Sequence, residues 1–163
     1  MKSIKPEELT SNVFDMIGKQ WMLVSAKKDG KTNAMTASWG GLGIMWGKQV
    51  AFVFIRESRY TKEFVDGSDK MVLSFFDESH RKMLGYMGSV SGRTEDKIEK
   101  AGLTFTKENE LVFEQAEMTM ICKKLFATPM KAEDFIAKEE IDKWYKDGDM
   151  HTMYVVEIEN IFV

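Results

Sequence analysis

Short apolar runs of strand length recur along the sequence, and the segments between them leave room only for short helices. Residues 50–55 form a continuous apolar run, which predicts a strand buried on both faces, and residues 71–76 predict a second buried strand. Further strands are predicted at 21–26, 34–46, 111–114, 117–126 and 150–162. The order lacks the regular alternation of strand and helix found in parallel sheets. It therefore favours a mainly β protein with peripheral helices, built as an antiparallel barrel.

The predicted helices are short and lie between these strands. They cover residues 6–9, 60–65, 77–87, 94–101 and 133–145, with a further short turn at 12–17. Asp77 is the predicted cap of the helix at 77–87, and Gly102 is the predicted end of the helix at 94–101. Glycines at 40, 41 and 43 weaken regular pairing, so we expect extended chain with bulges in that stretch.

Composition limits the class of protein. The length of 163 residues predicts a single domain over 1–163, and the net charge of −3 gives no support for generic nucleic-acid binding. Cys122 is the single cysteine and there are two histidines, so we expect neither a disulfide nor a metal site. No apolar run approaches the ~20 residues of a membrane span, and the first residues lack an apolar signal region. We therefore expect a soluble cytoplasmic protein without a nucleic-acid or membrane partner.

The segment 56–61 follows a predicted buried strand and precedes a short helix. Arg56 and Arg59 supply forked donors, and Ser58 and Thr61 supply hydroxyls beside the first N–H groups of the helix. These are the groups that bind a phosphate. The alternative is a solvated strand-to-helix turn with an exposed charge pair.

The segment 33–41 combines small residues with large apolar ones. Small residues let a planar ligand approach the backbone closely, and Met35 and Trp39 are able to pack on its face. The alternative is a bulged barrel strand that glycines allow to curve. The 13 Met, 11 Phe, 4 Trp and 4 Tyr of the whole chain are likewise consistent with a packed core, a flat apolar cofactor or a subunit interface.

Three further places carry residues of chemical interest. The segment 91–97 offers positive charge, but capping of the next helix by Ser91 or Thr94 is the simpler reading. His80 lies on a charged helix and is expected to be exposed, and His151 enters the last strand as a lone histidine. Cys122 shares an alternating apolar face with Met118 and Met120 in a predicted strand, which indicates core packing.

Four segments in order resemble the flavin reductase-like family, and more narrowly its flavoredoxin-type members. They are Asn33-x-Met35-Thr36-Ala37-Ser38-Trp39-Gly40-Gly41, Arg56-x-Ser58-Arg59-Tyr60-Thr61, Leu73-Ser74-Phe75-Phe76 and Ser91-Gly92-Arg93. The resemblance extends over about residues 17–157. It implies a Greek-key split β-barrel that binds FMN and works as a homodimer, with FMN near the subunit interface.

The resemblance also implies roles for individual residues. The isoalloxazine ring would be lined, largely through backbone groups, by Met35, Thr36, Ala37, Ser38 and Trp39. The ribityl phosphate would be held by Arg56, Ser58, Arg59, Tyr60 and Thr61. The flavin pocket would be closed by Ser91, Gly92 and Arg93, and His151 would lie near a nicotinamide. The chain departs from the family pattern at Glu57, where relatives often have proline, and at Met150, which follows the Gly-Asp pair before His151.

Three functions follow as hypotheses. The first is an NAD(P)H:flavin oxidoreductase, in which FMN carries the chemistry and no side chain acts as a nucleophile. The second is a flavoredoxin-like electron carrier that a protein partner reduces. The third is a non-enzymatic barrel that binds haem, another flavin or a protein, with His151 as an axial ligand in the haem case.

Overall fold

A computed structural model describes residues 2–163 and shows a mainly antiparallel β protein with short peripheral helices, as predicted. The strands are β1 Ser3–Ile4, β2 Met22–Lys28, β3 Lys31–Ala37, β4 Gly40–Met45, β5 Lys48–Arg56, β6 Lys70–Phe75, β7 Met118–Pro129 and β8 His151–Phe162. The α-helices are α1 Tyr60–Asp66, α2 Arg81–Ser89, α3 Lys97–Lys100 and α4 Glu139–Trp144. Shorter helical turns lie at Pro6–Glu8, Asp15–Gln20, Glu78–His80 and Ala132–Asp134.

The strands form one sheet in the order β3-β2-β6-β7-β8-β5-β4, and β1 pairs with β8. Every named pairing is antiparallel. One core packs within the sheet around Met120 and Tyr154, and a second packs beneath α2 around Leu84 and Phe113. Cys122 is fully buried in the first core, which confirms its predicted packing role.

Three features of the fold bring distant residues to one place. The register of β5 against β8 sets Arg56 opposite His151, and α1 begins shortly after β5 ends. Helix α2 packs against β3, where the Thr36 hydroxyl donates to the Leu84 carbonyl oxygen at 2.6 Å. The loop after α2 then reaches α3. The site therefore assembles from segments that are far apart in the chain.

Several predicted elements differ from the structure. The single helix predicted at 133–145 is wrong, because the chain there forms only the turn at Ala132–Asp134 and α4. Ile136, which lies between them, is 98% exposed. The strand at 111–114 is also wrong, since only Phe113 forms an isolated bridge, with Phe105. Asp96 rather than Ser91 or Thr94 caps α3, by accepting from the Glu99 N–H at 3.1 Å.

Other predicted elements need smaller changes. Extended chain at 34–46 is present, but as two strands, β3 and β4, joined by Ser38 and Trp39. The strand at 50–55 buries its residues less completely than predicted, because Phe52 and Phe54 are half-buried. Asp77 does act as a cap, accepting from the Ser79 N–H, although a single turn precedes α2. The single-domain assignment stays a prediction.

None of the helices within residues 2–163 has the length and apolar character that a membrane crossing requires.

We expect Gly40→Ala to destabilise the protein by about 1–3 kcal/mol, because a Cβ there would lie 2.5 Å from the Phe52 carbonyl oxygen across the β4–β5 pair. Gly41→Ala is the matched control. The nearest atom to its Cβ is a Phe52 ring carbon at 3.9 Å, so its cost is expected within about 0.5 kcal/mol. Urea unfolding of both variants measures the difference. Equal free energies of unfolding would contradict the role of this close approach.

Candidate functional site

A cavity of about 270 Å³, called here the Trp39 cavity, lies where β3 and β5 end. Its lining residues are Met35, Thr36, Ala37, Ser38, Trp39, Phe54, Arg56, Arg59, Trp144 and His151. The structure thus brings the whole predicted segment 35–39 together with both predicted arginines and the lone histidine of the last strand. Phe54 and Trp144 are additions that the sequence reasoning did not single out.

A second cavity of about 690 Å³, called here the Asn33 cavity, lies further back along β3. It is lined by residues of three segments: Gly30, Lys31, Thr32 and Asn33; Tyr60 and Phe64; Gly92, Glu95, Asp96, Lys97, Ile98, Glu99, Leu103, Phe105 and Glu110. The buried Asn33 amide donates to the Thr61 hydroxyl oxygen at 2.9 Å. A Cβ at Gly92 would collide with the Asn33 side-chain amide, so a larger residue there would have to displace that amide.

Arg59 and Lys97 are two cations with too few partners. One Arg59 nitrogen, Nη1, donates to the Gly88 carbonyl oxygen at 2.6 Å, while Nη2 is buried without a hydrogen-bond partner. Lys97 is 2% exposed, and its Nζ donates to the carbonyl oxygens of Met87 at 2.8 Å and Val90 at 3.0 Å. An ammonium has three donors, so one Lys97 N–H is left over.

Burial lowers the pKa values of both groups. Burial is the main cause that lowers the pKa of the Arg59 guanidinium; the Asp149 carboxylate opposes this and the Arg56 charge adds to it. Burial and then the Arg59 charge lower the pKa of Lys97 to about 8. Buried charges are costly unless they are paired, so an incoming anion would be stabilised here.

Arg56 and Ser58 are engaged within the protein. Arg56 Nη1 donates to the Asp149 carbonyl oxygen at 2.6 Å, and Nη2 donates to the Trp144 carbonyl oxygen at 3.1 Å. The Ser58 N–H and hydroxyl both donate to the Asp149 carboxylate, at 3.0 and 2.6 Å. These bonds tie the loop before β8 to the end of β5 and so hold Trp144 against the Trp39 cavity.

The remaining predicted site residues lie around the start of α1. Arg93 lies over the Tyr60 ring, 4.7 Å from its centroid, and forms an ion pair with Glu63. The Ser91 hydroxyl oxygen accepts from the Arg93 N–H at 3.2 Å and lines neither cavity. Thr61 is buried and accepts from the Asn33 amide.

His151 is buried and uncharged at neutral pH. Its Nδ1 lies 2.8 Å from the Tyr145 hydroxyl, and its ring centroid lies 4.9 Å from that of Trp39. Burial and the Arg56 charge lower the pKa of His151 to about 4, more than Asp149 and Glu57 raise it. His80 is half-buried rather than exposed, and lies 2.9 Å from the Asp77 carboxylate.

Residues that sequence reasoning left out of the site are Asn33, Phe54, Lys97, Trp144 and Asp149. Asn33 belongs to the motif that carried the resemblance, and Lys97 lies six residues after Ser91. A comparison of motifs could therefore have identified both residues. Asp149 belongs to the Gly-Asp pair before His151, whereas Trp144 gave no local signal, because only the β5–β8 register brings it to the cavity.

Comparison with known proteins identifies the fold and the family. No curated protein sequence matches the chain. Among solved structures, an FMN-binding domain of a flavin reductases-like enzyme from Shewanella baltica OS155 aligns with a TM-score of 0.69 and 16% identity, over 98% of this chain and 75% of that one. An FMN-binding protein from Thermus thermophilus, solved with bound p-hydroxybenzaldehyde, aligns with a TM-score of 0.68 and 17% identity over 99% and 81% of the two chains.

Flavoredoxin of Desulfovibrio vulgaris (Miyazaki F) also aligns, with a TM-score of 0.65 and 20% identity over 100% of this chain and 76% of that one. These structures confirm the predicted split β-barrel fold. The sequence of residues 14–163 matches the flavin reductase like domain. Because that match covers most of its length, the chain belongs to the flavin reductase-like domain family.

Proposed function

We propose that this protein binds FMN and is a cytoplasmic oxidoreductase that passes electrons from NAD(P)H through FMN to flavin or another acceptor. The observation that carries the proposal is the buried Arg59 Nη2, which has no partner and lies close enough to the buried Lys97 charge to lower its pKa. A phosphate is the kind of group that two such cations stabilise, since arginine binds it with a fork and lysine as a point charge.

The site residues fit FMN in two parts. Arg59 lines the Trp39 cavity and Lys97 lines the Asn33 cavity, so cationic donors occur in both. Segment 35–39 lines the Trp39 cavity at the edge of the sheet, where the β3 backbone facing away from β2 has no strand partner and a planar ring is able to lie against it. Bound FMN would supply hydride acceptance and the onward transfer of one or two electrons.

The phosphate roles of Arg56 and Ser58 stay predictions, and the structure gives reason to reassign them. Their donors are already used by Asp149 and by the Trp144 carbonyl oxygen. We propose that they position the loop before β8, and that Arg59 and Lys97, with Tyr60 and Thr61 beside them, provide the main phosphate contacts.

His151 would contribute as a neutral group in this site. With a pKa of about 4 it carries no charge near pH 7, so it adds no positive charge for a phosphate. Its place beside Trp39 keeps it available as a hydrogen-bonding contact for the nicotinamide of a donor. Tyr145 fixes its ring through Nδ1.

One observation favours the second hypothesis, a flavoredoxin-like carrier reduced by a protein partner. Trp144, in the wall of the Trp39 cavity, is 42% exposed, and Ile136, eight residues earlier in the chain, is 98% exposed. Exposed apolar residues grouped at a site are typical of protein contacts. The similarity to a flavoredoxin agrees with this alternative.

We expect Arg59→Ala with Lys97→Met to weaken FMN binding far more than Arg56→Ala does. A hydrogen bond to a charged group contributes about 1.5–3 kcal/mol, which corresponds to roughly 10–100-fold in affinity per cation. Titration of FMN fluorescence with apoprotein measures the dissociation constants. Lys100→Met is the matched control, because Lys100 lies on the same helix, is exposed and pairs with Glu95.

The same titration as a function of pH gives an independent readout. FMN binding should weaken above about pH 8, because Lys97 with a pKa of about 8 must then take up a proton when the phosphate binds. Between about pH 7 and pH 8 it should change little, since the phosphate is mostly a dianion there. The Lys97→Met variant should lose this dependence. Tight FMN binding by the double variant, with wild-type pH dependence, would contradict the phosphate assignment.

We expect anaerobic NADH or NADPH to bleach the flavin band, at about 450 nm, within seconds in stopped-flow measurements of the FMN-loaded protein. If the flavin stays oxidised with both nucleotides and is reduced by dithionite, the carrier hypothesis replaces the reductase. If the purified protein binds haem and not FMN, the third hypothesis holds instead.

We propose that the protein is a homodimer, through an exposed apolar surface on the sheet. Ile44 is 69% exposed, Trp46 58% and Phe126 44%, and the Trp46 and Phe126 ring centroids lie 6.3 Å apart. Ile44 belongs to β4, which ends the sheet order. Large exposed residues that group in this way are typical of subunit interfaces.

We expect Trp46→Glu to shift the protein from dimer to monomer in light scattering coupled to size exclusion, because the variant places a charge in an apolar contact. Phe14→Glu is the matched control, since Phe14 is 87% exposed and lies in another part of the chain. A monomeric wild type, or an equal shift for both variants, would contradict the assigned interface.

A further inference from the structure

Helix α1 begins with residues that the proposed function assigns to the phosphate. Arg59 immediately precedes the helix, and Tyr60 and Thr61 are its first two residues. The helix has only seven residues, and helices this short are not stable by themselves in water. Its buried Phe64 and Val65 pack towards β2 and β3, but the hydrophobic effect has no direction. Directional contacts are therefore needed to fix where the start of α1 lies.

A series of polar contacts, called here the α1 clamp, joins the two ends of α1 to β8. Its members are Glu57, Lys62, Asp66, Thr152 and Tyr154. The Tyr154 hydroxyl donates to Asp66 Oδ1 at 2.6 Å, and Lys62 Nζ donates to Asp66 Oδ2 at 2.8 Å. Lys62 Nζ also lies 3.3 Å from Glu57 Oε2, and Glu57 Oε1 accepts from the Thr152 hydroxyl. The clamp thus leaves β8 at Thr152 and returns to it at Tyr154.

The attachment of the clamp to β8 is buried. Tyr154 is 0% exposed and Thr152 is buried as well, whereas Asp66 and Glu57 reach the surface. Ion pairs between exposed side chains contribute little, so the contacts of Lys62 are not the main part of the clamp. A buried hydroxyl without an acceptor is costly, so Tyr154 requires the Asp66 carboxylate at this place. This requirement fixes the last residue of α1 against β8.

Asp66 lies at the helix end where a carboxylate is unfavourable, because the last carbonyl groups are also negative. Burial would raise the pKa of Asp66, but hydrogen bonds from Lys62 and Tyr154 outweigh burial and lower that pKa. Lys124 of β7 adds a further attachment, since its Nζ donates to the Asp66 carbonyl oxygen at 3.2 Å. An unfavourable residue that has three partners here indicates a role for its place in the fold.

We propose that Asp66 and Tyr154 are positioning residues of the proposed flavin site, which fix α1 along β8 and thereby place the Arg59 guanidinium for the phosphate. This inference rests on the proposed function and adds to it, because neither residue lines the Trp39 cavity or the Asn33 cavity. The helix spans about 10 Å at 1.5 Å per residue, so the clamp acts through the helix and not by contact with the ligand.

FMN and riboflavin differ by the phosphate alone, so their dissociation constants separate placement of the phosphate contacts from general loss of structure. We expect Tyr154→Phe and Asp66→Ala each to weaken FMN binding about three- to tenfold and to change riboflavin binding by less than about twofold. Fluorescence titration with the apoprotein measures both constants. Asp15→Ala is the matched control, because Asp15 pairs with Lys19 at the same i,i+4 spacing but outside α1.

Competition by inorganic phosphate against FMN gives the same comparison without the ring. The inhibition constant of phosphate should rise about three- to tenfold in Tyr154→Phe and Asp66→Ala and stay unchanged in Asp15→Ala. The double clamp variant should lose less than the product of the two single losses, because both changes remove the same hydrogen bond. If Tyr154→Phe does not fold, Asp66→Ala decides the result, since Asp66 is exposed.

Two results would overturn the proposal. The first is an equal loss of FMN and riboflavin affinity in the clamp variants, which is expected of a purely structural role. The second is wild-type affinity for FMN and phosphate in both variants. If the wild type binds FMN and either result is found, this inference fails and the proposed function stands; if the wild type binds no FMN, both fail.

Discussion

The pairing of β5 with β8 is the constraint on which the site depends. It sets Arg56 opposite His151 and thereby brings residues separated by more than eighty positions to one end of the sheet. Arg56 then uses both terminal nitrogens on the loop that enters β8, and Asp149 completes the connection through Ser58. Pairing of segments this far apart costs loop-closure entropy. The burial of β8 in the middle of the sheet offsets that cost.

The charges near this junction divide into two kinds. Arg56 is satisfied by carbonyl oxygens, and Arg93 is satisfied by Glu63 and the Tyr60 ring. Arg59 is half-buried with its Nη2 buried and unpartnered, Lys97 is buried with one N–H to spare, and desolvation lowers the pKa of each. Uncompensated buried charge reduces the stability of a folded chain, so its presence here is more readily explained by a ligand than by folding.

The aromatic residues also divide by location. Some form the core beneath α2, as Phe76 and Phe113 do, with ring centroids 6.3 Å apart. Others line the Trp39 cavity, where Trp39 and Trp144 meet edge to face. A third group, with Trp46, covers one part of the sheet. Composition alone did not separate these uses, because a core, a ligand site and an interface all favour the same side chains.

The sequence by itself determined the antiparallel class, most strands, and the identity of segments 35–39 and 56–61 as chemically important. These features rest on local periodicity and on motifs whose residues are adjacent in the chain. Tertiary structure alone decided that Arg56 donates to the Asp149 carbonyl oxygen while Arg59 Nη2 keeps no partner, since Asp149 lies more than ninety residues from Arg56. It also decided that 133–145 does not form one helix, because Ile136 finds no surface to pack against, and that Trp144 lines the cavity. Contacts between distant segments follow from strand register, which local sequence patterns do not encode.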